Sequence, residues 1–458
     1  MGSATRHVES NRIRGQTLLI WLLCPALFLA AALAEAQEFD RASQNPELRR
    51  EPTAPVTSAA RDGILVVPAQ LDLSGFPIPP KDWGQEKEPA GSEEDWIRIA
   101  GKAQLMGGYD HNVFRSESNL TGDGFGQAHG ELEALIKLPT GGELFLQAAG
   151  DTLVYFERER ANEHYTSGFV EYYQPLTGWL EAGVQNAFEF SRLNLLDDNG
   201  DLFPRGRFGS FDEEVRLFAI FSPPPEAGEL TKLSLEVGGS FRLKDYQENR
   251  GLESLDYQEQ RFDASLRFKI SNSPRSRLKL KYRFRRRDYR EFRARERTGT
   301  VAPDSPRLDL ERHQLNLRWT HRTTWSEIPL RLALEAGVSY NRDDFQNDRS
   351  YRQASLTLST EVWPISDWMR LEFSARGILR DFLSRRPSGG GGRLHHRLIR
   401  VRAQLWQRLW SSAGSDSLEG GGLTVALFTS FSVTFWRSDD TGEDYDRMLV
   451  RGGLEVSW

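Results

Sequence analysis

Five basic side chains stand at alternate positions in one short segment: Arg277, Lys279, Lys281, Arg283 and Arg285, with Leu278, Leu280, Tyr282 and Phe284 between them. In an extended chain successive side chains point to opposite faces, so this spacing stacks cations on one face and apolar groups on the other. A wall of cations that borders water inside low-dielectric surroundings raises the local concentration of anions. Arg261, Arg267, Lys269, Arg312, Arg318, Arg322, Arg370, Arg376, Arg380, Arg400 and Arg402 occupy the equivalent parity in neighbouring alternating segments. Earlier segments carry carboxylates there instead: Glu131, Glu133, Asp151, Glu181, Glu189, Glu214 and Glu236. The whole chain has a formal charge of -6, but residues 95–250 hold 25 acidic and 14 basic residues, whereas residues 251–458 hold 27 and 36. Two readings follow. The charges pair and solvate a wet interior, or an acidic wall faces a basic wall and sets up a transverse field.

Other chemistry finds little support. None of the eight His residues stands in a local dyad or triad with a nucleophile and an acid, so no enzymatic activity is expected. The one Cys, Cys24, lies inside an N-terminal apolar run, which leaves the rest of the chain without a thiolate ligand or nucleophile. No carboxylate cluster with ligand spacing stands out, and no cofactor or metal is expected. Asp439, Asp440, Glu443, Asp444 and Asp446 form an acidic segment that either is simply solvated or holds divalent cations at a lipid surface.

The charged residues need strands to position them. Period-two alternation recurs along the chain: Leu330, Leu332, Leu334, Ala336 and Val338 alternate with Arg331, Ala333, Glu335, Gly337 and Ser339. Sixteen such runs are predicted, at about 95–109, 125–138, 143–156, 164–175, 178–191, 207–222, 229–246, 255–271, 276–292, 307–322, 328–345, 350–364, 367–383, 393–409, 422–437 and 445–458. They are far longer than the usual five or six residues of a globular strand and suit tilted strands that cross a bilayer and protrude beyond it. Connections alternate in length. Pro139-Thr140-Gly141-Gly142, Leu176-Thr177 and Ile365-Ser366 are tight, while 110–124, 192–206 and 293–306 are long and polar; residues 411–421 break the pattern. Trp96, Trp179, Trp319, Trp325, Trp363, Trp368, Trp406, Trp410 and Trp458 fall near one set of strand ends. Tyr109, Tyr155, Tyr246, Tyr257, Tyr289, Tyr340, Tyr351 and Tyr445 fall near the other, with Trp436, and two aromatic girdles at headgroup level are the expectation.

Ahead of the strands, Arg6, Arg12 and Arg14 precede an apolar run from Leu18 to Leu33 and the small-residue site Ala34-Glu35-Ala36. This layout predicts a secretory signal peptide over residues 1–36, cleaved after Ala36; an uncleaved anchor is the alternative. Leu23 before Cys24 argues against a lipid-attachment site. Residues 37–94 hold eight of the 21 prolines, which predicts a largely disordered periplasmic linker. Residues 95–458 then form an all-β domain.

In the last run, Met448, Val450, Gly452, Leu454, Val456 and Trp458 share one face. This resembles the C-terminal strand of Gram-negative outer-membrane β-barrels, where the final aromatic is read by the barrel-insertion machinery; Val456 and Trp458 carry that expectation here. The resemblance implies a closed, antiparallel, up-and-down barrel of about 16 strands in the outer membrane, in contact with lipid and lipopolysaccharide. A barrel of that size encloses an aqueous channel. The transverse field resembles that of general porins and implies passage of small hydrophilic solutes. Gly108-Tyr109-Asp110-His111-Asn112-Val113-Phe114-Arg115 resembles a segment of outer-membrane barrels found with exopolysaccharide and surface-export systems, which implies polysaccharide export as an alternative. Those export barrels often carry a helical-repeat periplasmic domain, and this chain has only the Pro-rich segment. A structural or adhesive surface barrel is a third reading. No nucleic-acid partner is expected, and a homo-oligomer is compatible with these features.

Overall fold

The computed structural model describes residues 96–458, apart from 114–120, 159–160, 195–206, 224–232, 248–255, 273–274, 295–300, 326–327, 367, 388–391, 413–422 and 440–443. The expected signal peptide and linker lie outside the described residues. Sixteen strands make up the fold: β1 (Ile97–Asp110), β2 (Asp123–Lys137), β3 (Glu143–Tyr155), β4 (Glu163–Pro175), β5 (Leu180–Asn194), β6 (Arg207–Phe221), β7 (Leu233–Gln247), β8 (Tyr257–Asn272), β9 (Arg275–Arg293), β10 (Arg307–Trp325), β11 (Ile328–Asp343), β12 (Tyr351–Ser366), β13 (Met369–Phe382), β14 (His395–Ser411), β15 (Thr424–Ser438) and β16 (Tyr445–Ser457). Each pairs antiparallel with its sequence neighbours, and β16 pairs with β1, so the sheet closes into a barrel. Among the described residues no helix is long and apolar enough to cross a membrane. Strand β12 runs through Ile365 and Ser366, which the alternation assigns to a turn, and the β12–β13 connection falls one step later.

Directly opposed residues share a face of the sheet, so the register sorts every strand position into one of two sets. One set contains Arg216, Glu236, Asp263 and Arg283; Arg216 on β6 reaches over β7 to Asp263 on β8. Side chains converge like this only on the concave side of a curved sheet, and this set is the barrel interior. The other set is apolar and exposed: Leu105 on β1, Leu217 on β6, Val338 on β11, Leu356 on β12 and Leu379 on β13. Isolated in water, such a continuous apolar belt would be strongly unfavourable; in hydrocarbon it is the solvated surface.

The two ends differ. At the end shared by Ile97 and Ser457 the connections include the tight turn in which Gly141 takes φ 78° and donates to the Leu138 carbonyl at 2.9 Å. Positive φ is open to glycine without strain, which explains its place there. Trp96, Trp179, Trp368, Trp410 and Trp458 are exposed at this terminal end. The opposite, loop end departs from the expected tyrosine girdle. Only Tyr109 and Tyr340 lie on the convex face. Tyr155, Tyr246, Tyr257, Tyr289, Tyr351 and Tyr445 lie on the concave face. Tyr246, Tyr257, Tyr289, Phe292, Leu308 and Leu310 pack there as a buried cluster against Phe345. Position along a strand sets membrane depth, while parity sets the face, and these residues have the inward parity. Trp406 is likewise concave, with the Arg370 guanidinium 4.7 Å from its ring, and Trp436 is buried inside the loop end.

Candidate functional site

Charged side chains fill the concave wall, and their placement follows from strand parity alone. Arg277, Lys279, Lys281, Arg283 and Arg285 all lie on the concave face of β9, next to Arg312 and Arg318 of β10. Arg376 of β13 opposes Arg400 of β14, and Arg402 follows on the same face. Glu131 and Glu133 on β2 and Glu181 on β5 share that face farther round the barrel, and Glu236 on β7 shares it two strands from β9.

The two walls are not cleanly separated by sign. Arg216 sits within the acidic half and binds both Glu236 and Asp263 at 2.8 Å, while Arg267 holds the other oxygen of Glu236 at 2.8 Å. Arg261 pairs with Glu214 at 2.5 Å and also with Glu259, and Arg287 takes Glu259 Oε2 at 2.8 Å. Arg242 and Lys244 share Asp212. This lattice across β6–β9 discharges much of the transverse field predicted from sequence. On the β1–β3 side, Lys102 binds Glu131 at 3.1 Å, and Gln147 donates to Glu131 and Glu133. His129 stands 3.5 Å from Asp151.

Beside these pairs, cations also stand directly opposite cations. Arg261, Arg285 and Arg312 form one row across β8, β9 and β10, and Arg267, Lys279 and Arg318 form a second. Lys269 opposes Arg277, and Arg376 opposes Arg400. Strands lie about 4.8 Å apart, and like charges directly opposite are destabilising. Lys281, Arg283 and Arg318 have no carboxylate within ion-pair distance among the described residues.

The alternation marks Arg261, Arg267, Glu214 and Glu236 of the ion-pair network as inward. It does not single out Arg216, Asp263, Glu259, Arg242 and Arg287, although their parity is equally readable. The reach of Arg216 across an intervening strand is not, because it depends on sheet curvature.

The segment Gly108–Val113 joins the first and last strands. Asp110 is fully buried and accepts from Arg447 of β16, at 2.5 Å from Nη2, and from the Tyr155 hydroxyl at 3.0 Å. His111 Nδ1 accepts from the Met448 amide, and Asn112 donates to the Asp446 carbonyl. Val113 packs with Phe125, Leu153 and Tyr155. A Cβ at position 108 would strike the Val450 carbonyl, so the close strand approach there requires glycine. Phe114 and Arg115 lie outside the described residues. At the other end of the seam, Val456 opposes Ala103, and Trp458 exchanges backbone hydrogen bonds with Gly101 while its indole covers the glycine.

Of the acidic segment, Asp439 and Asp444 accept from the backbone amides of His395 and Ser438, and Asp446 pairs with Arg437. Among the described residues no group of three or more His, Cys, Asp or Glu is arranged to hold a metal.

No family model matches the sequence, and no curated protein matches it. Among solved structures, CdiB from Acinetobacter baumannii is similar with a TM-score of 0.43 and 12% identity, covering 78% of this chain and 60% of that one. This chain thus spans less than two thirds of the CdiB chain. OmpTdeltaL8, an outer membrane protein of Vibrio cholerae, is similar with a TM-score of 0.41 and 8% identity over 80% of this chain and 100% of that one. An anion-selective porin from Comamonas acidovorans gives a TM-score of 0.39 and 10% identity over 79% and 99%.

Proposed function

We propose that the protein is an outer-membrane pore for small hydrophilic solutes, with a preference for anions. The observation that carries this reading is the set of cations on the concave wall of β9 and β10 with no carboxylate within ion-pair distance among the described residues: Lys281, Arg283, Arg285, Arg312 and Arg318. Like charges held opposite one another cost stability, and a passing anion recovers that cost while it is inside. The apolar convex belt supports a membrane location, and the terminal-end tryptophans support insertion with that end at a headgroup boundary. The acidic groups of β2 and β5 temper the preference, so selectivity is weak rather than absolute.

Reconstitution in planar bilayers tests the reading. Discrete conductance steps are expected, with a reversal potential in a salt gradient on the anion side. A silent barrel overturns the pore and leaves a structural or adhesive surface protein; a cation-side reversal potential overturns the preference alone. Recovery of the protein in a soluble periplasmic fraction overturns the location.

A further inference from the structure

We propose that the concave wall of β9–β13 holds a binding site for a phosphate group, formed by Arg285, Arg312, Arg380 and the hydroxyl of Tyr351. The site deepens the anion-pore reading and rests on it for its purpose. Arg285 is only 7% exposed, and among the described residues it has neither a carboxylate nor a hydrogen-bond acceptor within bonding distance. Glu259 of β8, on the same concave wall, already has one oxygen on Arg261 and the other on Arg287. Arg312, directly opposite Arg285, makes a long bond of 3.4 Å to Ser339 Oγ, and its Nε is buried without an acceptor. Its guanidinium lies 6.0 Å from the Tyr351 ring centroid, and that of Arg380 lies 4.3 Å from the same centroid while it donates to Gln353. Arg285, Arg287, Arg312 and Arg380 all act electrostatically on Tyr351.

The guanidiniums of Arg312 and Arg380 thus stand at the Tyr351 ring, and Arg285, directly opposite Arg312 on the same wall, is buried and uncompensated. Leaving such a charge unpaired is costly, and ordinary packing would replace it with an apolar or amide side chain. An anion removes the cost. Guanidinium groups present paired N–H donors that match two oxygens of an oxyanion, and the phenol adds a single O–H donor. Donors converging from several directions suit a tetrahedral phosphate better than a spherical chloride. The chemistry is shared by free phosphate and by the phosphate of a larger hydrophilic solute.

Thermal unfolding of the detergent-solubilised full chain, followed by heat-modifiable gel migration, tests the site without requiring conductance. At constant ionic strength, replacing chloride by inorganic phosphate should raise the midpoint by several degrees, because a ligand that binds the folded state alone stabilises it. Arg285→Gln should lose most of that shift and be no less stable than the parent in chloride. Whatever shift survives in this variant is the general salting effect of phosphate. Tyr351→Phe, which keeps the ring and its packing, should weaken the shift. A hexose phosphate that reproduces the shift assigns the site to larger phosphorylated solutes; a shift with inorganic phosphate only assigns it to the free ion. An equal shift in the parent, Arg285→Gln and Arg312→Gln overturns the site, as does no shift in the parent. A phosphate shift in a barrel that is silent in bilayers leaves the site standing and removes the pore, and conductance without a shift does the reverse.

Discussion

Asp110 shows how much one side chain can hold. It is fully buried, and Arg447, Tyr155 and the Asn112 amide all donate to it. Removing one partner of a buried ion pair strands the other charge, at a cost of about 3–5 kcal/mol. Asp110→Asn should therefore lower unfolding stability by about that amount, read from urea titration of the barrel folded in lipid vesicles. Tyr155→Phe removes one hydrogen bond and should cost about 1 kcal/mol; an equal loss for both variants would contradict this assignment. Asp110 was singled out in the sequence only through the segment around it, and its partner Arg447 lies 337 residues away. No local pattern could have joined them. The pairing exists because β1 and β16 meet.

The strands themselves were legible. All sixteen lie within a few residues of the positions predicted by alternation, because runs of such length leave little freedom of register or face. Faces of individual aromatics were less so: Tyr257 and Tyr289 were read by depth, while their parity sends them inward, where their rings pack 5.5 Å apart. On β9 the same parity argument yields a functional test. Replacing Lys279, Lys281 and Arg283 together by Gln should shift the reversal potential towards cations, since all three line the concave wall. If they faced lipid instead, the change would stabilise the barrel by about 2–4 kcal/mol per residue near the midplane and leave selectivity untouched. The β11–β12 connection gives a second test at this scale. Asn347 adopts φ 62°, accepts from the Ser350 amide through its carbonyl and from the Ser350 hydroxyl through its side chain. Asn347→Gly should keep the connection's fold, whereas Asn347→Val should loosen it through backbone strain, seen as faster proteolysis at residues 344–350.

At the scale of the molecule, selectivity comes from a field that is summed over the wall and partly cancelled within it. Ion pairs across β6–β9 neutralise one sector, and Lys281, Arg283 and Arg285 with Arg312 and Arg318 leave another positive. Such a field weakens with salt, since the Debye length falls from about 10 Å at 0.1 M to about 3 Å at 1 M. Anion preference measured at 0.1 M should thus fade at 1 M, while single-channel conductance continues to rise. Preference independent of salt would point to tight coordination of the permeating ion instead. The seam has a mechanical consequence. Every pairing but that of β1 with β16 joins strands adjacent in sequence. The barrel is therefore a ribbon of hairpins fastened once. Pulled from Trp458 in a force microscope, it should resist until β16 separates from β1 and then peel hairpin by hairpin. Asp110→Asn, which weakens the fastening and otherwise touches only Tyr155 of β3, should lower the first rupture force and leave the sawtooth from β15 to β4 unchanged.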